Sequence, residues 1–452
     1  MKLQPYKCAI LLSVVVSARC LAAGVDDTIT LTPGSYHQQI TGFGGAILQG
    51  SAQALANADA TYSSFQRRFD STGLNLSFIR VGNYYGMPDS TDHAFSYSKE
   101  LEGTIYAIQN FRKYKPSGMV LMTAFSPPAS IRTTGSTLGS GTHVNTITSN
   151  AQYAAWWLES MQYYQSQGAL PDAITLQNEP DITSSAYENC WFSPAGYGAA
   201  LDATRKLFAQ QTDAELHDMR FFGPEVCETN DLASYMIEPT SADVEAITHH
   251  FYGDLSDATL GKIESDYNWW KWNKYETENS ATGFVPAAGE PKYMGLAVDI
   301  YKCLAIEEAN AYLIWDLAWQ IDSVHYTPIT YTYEANMLGQ YAKFVQPGDW
   351  HIYESNSDAD VLCTAYKHNL NNGDKERMVM VIVNTAAAAK TVRLDLSAFW
   401  ASKAAHCLYN VYQTSPTANL VHTTAYSGAA AKKLGNPLVS LPGYSVTTVI
   451  QN

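Results

Sequence analysis

Basic residues are scarce in this chain. Lys and Arg number 28 against 43 Asp and Glu, which leaves a formal net charge of −15. So acidic a protein is a poor partner for nucleic acid or an anionic membrane, both of which are held by dense positive charge. Neutral or weakly charged ligands suit it better, and an acidic one would need a local basic contact. Cysteine is sparse too, seven in 452 residues, and no Cys or His spacing has the form of a metal site. Long apolar runs are missing: the one from Ala9 to Val16 is too short to cross a bilayer. Neither a long linker nor an internal repeat interrupts the chain. Charged residues make up only 16% and apolar ones 46%, a composition that folds.

The short apolar run has a specific reading. Lys2 and Lys7 precede it and the small-residue stretch Cys20-Leu-Ala-Ala-Gly24 follows it, the order of a secretory signal over residues 1–23. A buried N-terminal helix is the competing reading. Cleavage near Ala23 would remove Lys2, Lys7 and Arg19 and leave a secreted, extracellular protein with a net charge of about −18. Cys8 and Cys20 would go as well. Of the remaining Cys190, Cys227, Cys303, Cys363 and Cys407, an odd number, at least one stays unpaired. Cys190–Cys227 and Cys363–Cys407 are the expected bridges, with Cys303 in a helical, core-like pattern. The sequon at Asn75 leads into a buried-looking strand, so no glycan is expected there.

From about residue 40 to 345, short apolar strands alternate with helical patterns. Strands are expected at Ile40–Gly44, Leu76–Val81, Val120–Phe125, Ala173–Gln177, Arg220–Gly223, Ala246–Phe251, Lys274–Glu278 and Ala311–Trp315. Helical periodicity lies between them at Ala52–Phe69, Gln152–Tyr164 and Met294–Ala309. Eight β/α units point to a closed (β/α)8 TIM barrel over 37–347, an α/β fold, rather than an open doubly wound sheet. After Gly348 the texture becomes short strands between Asn, Gly and Pro turns, which predicts a side β-sandwich over 348–452. The segment 24–36, with Thr28–Leu31, is expected to add a strand to it.

A barrel enzyme places its chemistry at the C-terminal ends of its strands. The run Ile174-Thr-Leu-Gln-Asn-Glu-Pro-Asp181 ends in Asn178-Glu179, and Pro180 stops the strand. Roughly a hundred positions later Lys274-Tyr-Glu-Thr-Glu278 supplies a second carboxylate at a strand end. Two carboxylates facing one another are the minimum equipment for glycoside hydrolysis, one to protonate the leaving oxygen and one to meet the anomeric carbon. Glu276, two residues before Glu278, points to the same side and remains an alternative. Other strand ends carry suitable groups. Arg80 can hold a carboxylate ionised, although a strand Arg is usually a structural ion pair. His249, His250 and Tyr252 surround the sixth end, where Tyr252 can donate to the nucleophile. Trp315 offers a flat face for a sugar ring. Trp269, Trp270 and Trp272 are subsites or core, and Trp156-Trp157 is packing.

At these residues the chain resembles glycoside hydrolase family 30. The matching elements are Gly42-Phe-Gly-Gly45, Ser126-Pro-Pro-Ala129 with Thr133-Thr-Gly135, Gln177-Asn-Glu-Pro-Asp181, Thr277-Glu278-Asn-Ser280, Ala311-Tyr-Leu-Ile-Trp-Asp-Leu317 and Gly339-Gln-Tyr-Ala-Lys-Phe344. They occur in the family's order and span nearly the whole mature chain. The resemblance implies a barrel with a side sandwich and a retaining mechanism, Glu179 as acid/base and Glu278 as nucleophile. Asn178, Tyr252, Trp315, Phe125, Arg80 and His250 are the candidate substrate-binding residues. Glu276 and Glu290 do not match the family's catalytic position. Phe125 stands where the family usually has Trp. Relatives specific for glucuronoxylan carry a basic residue in a barrel loop; Gln49 occupies the first-loop region, where some fungal relatives would have Arg, and Arg132 is a candidate substitute.

The expectation is a secreted retaining β-glycanase acting on β-1,4-xylan. Other β-glycans served by the same scaffold (β-1,6-glucan, β-1,6-galactan, glucosylceramide) are alternatives. A transglycosylase would share these residues, and a non-catalytic carbohydrate-binding protein is a further reading. Burial and the Glu278 charge are expected to raise the Glu179 pKa. The expected partner is a polysaccharide or oligosaccharide, with no nucleic acid and no membrane span. A monomer is expected, and the two-carboxylate route requires neither metal nor cofactor.

Overall fold

The computed structural model describes residues 24–89, 95–139, 146–280, 289–318, 332–368, 377–400, 408–427 and 437–451. The signal-like segment and Cys407 lie outside them. After strand β1 (Asp27–Gln39) come eight parallel strands that close into a barrel. They are β2 (Gly42–Ile47), β3 (Phe78–Gly82), β4 (Met119–Thr123), β5 (Ala173–Thr175), β6 (Arg220–Glu228), β7 (Ala246–Tyr252), β8 (Lys274–Ser280) and β9 (Ala311–Trp315). β9 pairs with β2 to complete the circle. These runs are apolar on both faces because a barrel strand is covered by helices outside and by other strands' side chains inside. Phe78, Leu121, Ala173, Phe222, Ala246, Tyr275, Ala311 and Leu313 fill the interior, so the barrel has a packed floor beneath its catalytic end.

The glycines of Gly42-Phe-Gly-Gly45 are required by close packing. A Cβ on Gly44 would lie 1.6 Å from the Phe78 carbonyl oxygen, and one on Gly45 would lie 2.5 Å from that of Ile314. Register shifts interrupt the pairings β6–β7, β7–β8 and β8–β9 near their C-terminal ends. Such bulges re-aim side chains at the rim of a barrel. The single helix expected over Ala52–Phe69 is two, Ser51–Tyr62 and Ser64–Phe69, divided at Ser63, whose φ is +52°. The apolar periodicity runs through that break, so the sequence pattern did not reveal it.

The side domain is one nine-stranded sheet with an α/β barrel beside it. Its members are β1, β10 (Trp350–Ser355), β11 (Val361–His368), β12 (Arg377–Asn384), β13 (Lys390–Asp395), β14 (Leu408–Ser415), β15 (Ala418–Ser427), β16 (Leu438–Leu441) and β17 (Ser445–Gln451). The order is β15-β14-β17-β12-β11-β10-β1-β13-β16. The sheet curls so that Val392, Leu394, Val439 and Leu441 at one end share a core with Met378, Met380, Ile382, Tyr409 and Val449 from its other half. The two sandwich layers are therefore continuous through β1. On β12 the alternate residues Val379, Val381 and Val383 face the barrel's core instead. That strand is buried on both sides and fixes the side domain against the helices.

Cys190, Cys227, Cys303 and Cys363 are free thiols. The expected Cys190–Cys227 bridge is thus not formed, and each of the pair has another neighbour: Cys190 is buried near Arg132, and Cys227 hydrogen-bonds Glu179. The Cys407 half of the expected Cys363–Cys407 bridge lies outside the described residues. Among the described residues no helix is long and apolar enough to cross a membrane.

Candidate active site

Glu179 and Glu278 meet at the C-terminal end of the barrel, in a cleft of about 310 Å³ lined by Gln49, Phe125, Glu179, Tyr187, Tyr252, Glu278, Ser280 and Trp315. Glu179 follows β5 with a left-handed backbone, φ +47°, and its amide donates to the Glu225 carbonyl at 3.0 Å. Glu225 is left-handed as well, φ +64°. Two non-glycine residues held this way at one strand-end cluster mark backbone strain where positioning matters. Glu278 sits on β8 beyond a bulge that brings it opposite His250.

Arg80, fully buried on β3, organises the floor of the cleft. Its Nε donates to Glu225 Oε1 at 2.6 Å, Nη1 to Glu278 Oε2 at 2.8 Å, and Nη2 to Asn178 Oδ1. Tyr252 donates its hydroxyl to the other oxygen of Glu278 at 3.1 Å. Glu278 thus has both oxygens fixed by donors. Glu179 is held by Tyr187, whose hydroxyl donates to Oε2 at 2.6 Å, and by His250, whose Nδ1 lies 3.1 Å from Oε1. The far nitrogen of that ring lies 3.3 Å from Arg80 Nη2 and 3.9 Å from both Glu225 and Glu278. Asn178 Nδ2 is buried and has no hydrogen-bond partner among the described residues.

The charges follow from these contacts. Burial and the neighbouring Arg80 guanidinium disfavour the His250 cation, but Glu278, Glu179 and Glu225 outweigh them and push the imidazole up to about 10. Burial also works to raise Glu179, yet the His250 cation, the Tyr187 hydroxyl and the Cys227 thiol hold it below the usual carboxylate range. The expected upward shift of Glu179 is therefore reversed in the open cleft: its proton rests on the neighbouring imidazole. Glu278 is pushed upward by burial, with His250 and Arg80 opposing.

Glu276, the alternative nucleophile, lies deeper and is spent on backbone. Its Oε1 accepts from the Glu278 amide at 2.8 Å and its Oε2 from the Leu313 amide at 3.1 Å. Burial drives its carboxyl well up, toward the neutral form. His249 is a core residue, its Nε2 2.7 Å from Glu307. Arg132 is also withdrawn from the cleft. It is only 3% exposed and donates to Ser126 Oγ and to the Asn189 carbonyl, so it ties loops together and is not available to a glucuronic acid. Trp156 and Trp157 pack in the barrel core. Trp269 and Trp270 precede β8, at the opposite end of that strand from Glu278. Trp269 sets its edge against Trp350 of the side sheet at 6.4 Å, and Trp270 is 69% exposed. Phe125 and Trp315 line the cleft side by side as a tilted pair, ring centroids 6.0 Å apart.

Two members of the site carried no local sequence signal. Tyr187 lies on the loop after β5, folded back by a bridge between Leu138 and Glu188 and by Gln49 donating to Glu188 at 2.9 Å. Glu225 follows Gly223-Pro224, where a strand end was expected.

Glu179, His250 and Glu278 present potential metal-ligating atoms within 4.8 Å of one another. Arg80 and the cationic imidazole already supply the positive charge there, so the arrangement is that of an ion-pair network. Chemically, it offers two carboxylates whose oxygens approach within that distance, one bound to a proton-bearing imidazole and the other to a guanidinium.

No family model matches the chain. A curated endo-1,6-β-D-glucanase of Neurospora crassa is 29% identical over 176 residues, 34% of this chain and 36% of the relative. The match thus spans about a third of that protein's length. Solved structures resemble nearly all of the chain. The glycoside hydrolase family 30 subfamily 8 xylanase of Clostridium acetobutylicum superposes with a TM-score of 0.69 at 22% identity, over 94% of this chain and 99% of that one. The catalytic domain of a family 30 xylanase from Talaromyces cellulolyticus gives 0.73 at 16%, over 94% and 100%. An endo-β-1,6-glucanase gives 0.65 at 18%, over 94% and 93%. The fold is that of the family 30 glycoside hydrolases.

Proposed function

We propose that this chain is a retaining glycoside hydrolase of family 30 that cleaves β-1,4-xylan by double displacement. The observation that carries the reading is the approach of Glu179, after β5, and Glu278, on β8, at the same end of the barrel, with oxygens within 4.8 Å of each other. Retaining enzymes hold their carboxyl groups about 5–5.5 Å apart, whereas inverting ones need about 6.5–9.5 Å to seat a water between them. Glu278, with both oxygens fixed by Arg80 and Tyr252, attacks the anomeric carbon. Glu179 protonates the departing oxygen and then draws a proton from the water that releases the glycosyl-enzyme.

The proton for the first step stands on His250, against Glu179 Oε1 at 3.1 Å. A sugar filling the cleft expels water and lowers the local dielectric. In that setting a neutral imidazole–carboxylic acid pair gains on the separated charges. Substrate binding thereby transfers the proton to Glu179, where the leaving oxygen takes it.

Xylan is favoured over a charged substrate because the side chains lining the described cleft include no Lys or Arg. A neutral backbone resting on Trp315 and Phe125 fits that lining, and glucuronic acid substituents would not be required. The xylanase structures of the same fold support the choice. The curated endo-1,6-β-D-glucanase supports a second reading, β-1,6-glucan. The signal-like start supports export of a monomeric, polysaccharide-degrading enzyme.

Product analysis of the purified protein on linear xylan, glucuronoxylan and β-1,6-glucan tests the proposal. Comparable cutting of both xylans is expected. Cutting of β-1,6-glucan alone would retain the catalytic assignment and replace the substrate. Tight binding of oligosaccharides without turnover would make the protein a lectin, and elongation of acceptors in place of hydrolysis would make it a transglycosylase.

A further inference from the structure

Glu225 does not line the cleft, yet it touches groups that hold both of the carboxylates facing it. Its side chain is fully buried between Arg80 on β3 and His250 on β7. Oε1 accepts from Arg80 Nε at 2.6 Å and faces His250 Nε2 at 3.9 Å, while Oε2 has no hydrogen-bond partner among the described residues. Tyr197, on the helix Pro194–Phe208, feels the charge of Glu225, and the Glu225 backbone carbonyl accepts from the amide of Glu179. Glu225 therefore contacts the nucleophile's anchor, the acid's imidazole and the acid's own backbone.

We propose that Glu225 is a positioning residue of this catalytic centre, whose buried carboxylate neutralises Arg80 and His250 so that Glu179 can hold a proton while Glu278 stays ionised. The inference rests on the hydrolase reading above. The proton that His250 and Glu179 share is held beside one fixed cation, Arg80, and two carboxylates, Glu225 and Glu278, with Glu276 beneath them. Whichever of the two carries it, the negative charge of Glu225 helps to keep it there. Remove that charge and the shared proton loses one of the two anions that hold it. The His250–Glu179 pair would then give up its proton at lower pH. The Arg80 fork, released from Glu225, would also be drawn further toward Glu278. His250 is faced in addition by Tyr252 at its ring edge and by Glu276, and neither supplies the missing full charge at the working pH.

The test is Glu225→Gln in the full chain, with Glu225→Asp beside it. In Glu225→Gln the alkaline limb of kcat/KM is expected to move to lower pH by about one unit. Hydrolysis of polysaccharide should fall further than hydrolysis of a dinitrophenyl glycoside, whose leaving group needs no proton. Glu225→Asp keeps the charge and should keep the limb, at reduced kcat. An unchanged limb with equal losses on both substrates in folded Glu225→Gln overturns the proposal. Should that variant not fold, a displaced limb in Glu225→Asp overturns it and a retained limb supports it. Imidazole ¹⁵N NMR separates this inference from the hydrolase reading, since it needs no turnover. With the His250 signal assigned by its loss in His250→Asn, the ring should deprotonate at lower pH in Glu225→Gln than in the parent, whether or not any glycan is cut. A deprotonation unmoved by the substitution sinks the proposal.

Discussion

Glu276 Oε1 accepts the backbone amide of Glu278, two residues further along the same strand, at 2.8 Å. The carboxyl that sequence left as a rival to Glu278 is thus a strut beneath it. A second bond, from the Leu313 amide, ties it across to the last barrel strand. One of two similar acids on β8 is turned into the scaffold and the other into the cleft. The bulge at this point of β8 is what separates them.

Glu179→Gln and Glu278→Gln should each lower hydrolysis of the natural polymer by about 10²–10⁴-fold, with circular dichroism unchanged. Retention of full activity in Glu278→Gln would refute the assignment of the nucleophile.

Tyr187→Phe removes a donor that favours the ionised form of Glu179. The acid should then hold its proton to higher pH, so the alkaline limb of kcat/KM rises. This is opposite in sign to Glu225→Gln, and pH profiles of the two variants measured together check both directions.

Tyr252→Phe removes the donor to Glu278 Oε1. The ionised nucleophile loses support, its pKa rises, and the acidic limb moves to higher pH. Activity at the optimum should fall about ten- to hundred-fold, the worth of a hydrogen bond to a charged group.

Trp315→Ala should raise KM about ten-fold and change kcat less, because a stacked ring binds the ground state and transition state alike. A loss confined to kcat would show that the ring acts on the reaction and not on the sugar's seat.

Stability should be greatest near pH 4–5, on the acid side of neutrality. Burial raises Glu100 to about 7, Asp299 to about 7 and Asp181 to about 6. Each binds a proton in the fold that the unfolded chain releases earlier. Their stabilisation is complete below the ordinary carboxyl range and is lost as the pH rises through the folded values, on the order of 3 kcal/mol for Glu100. Asp27, lowered to about 2 against the pull of burial by Ser357, Asn356 and Asp358, acts in the opposite direction, and its contribution is lost as the pH falls toward that value. Thermal melts across pH 3–8 check the shape, and Glu100→Gln should flatten the fall between about pH 4.5 and 7.

The barrel was legible in sequence because a parallel strand covered on both sides must be written as a run of apolar residues. All eight runs were visible, and Glu179 and Glu278 stood at the ends of two of them. The side sheet was less legible. Trp350–Ser355 mixes buried and exposed positions without a clean alternation, and Leu438–Leu441 is only four residues long. Tyr187 and Glu225 were unreadable for different reasons. A loop residue is brought to the site by contacts far away in the chain, and β6 continues past a Gly-Pro pair that ordinarily ends a strand. The direction of the Glu179 shift was misjudged because it depends on three donors, His250, Tyr187 and Cys227, whose convergence has no trace in local spacing.

β1 lies between β10 and β13. Both partners come more than three hundred residues later, so a growing chain emerges with its first strand unmatched. The barrel can close while that strand waits, since all eight of its own staves are made before β10. The seam that β1 makes with β10 and β13 is therefore sewn only after every stave of the barrel has been made, and a ribosome stalled before β13 would leave a closed barrel trailing an unclaimed edge.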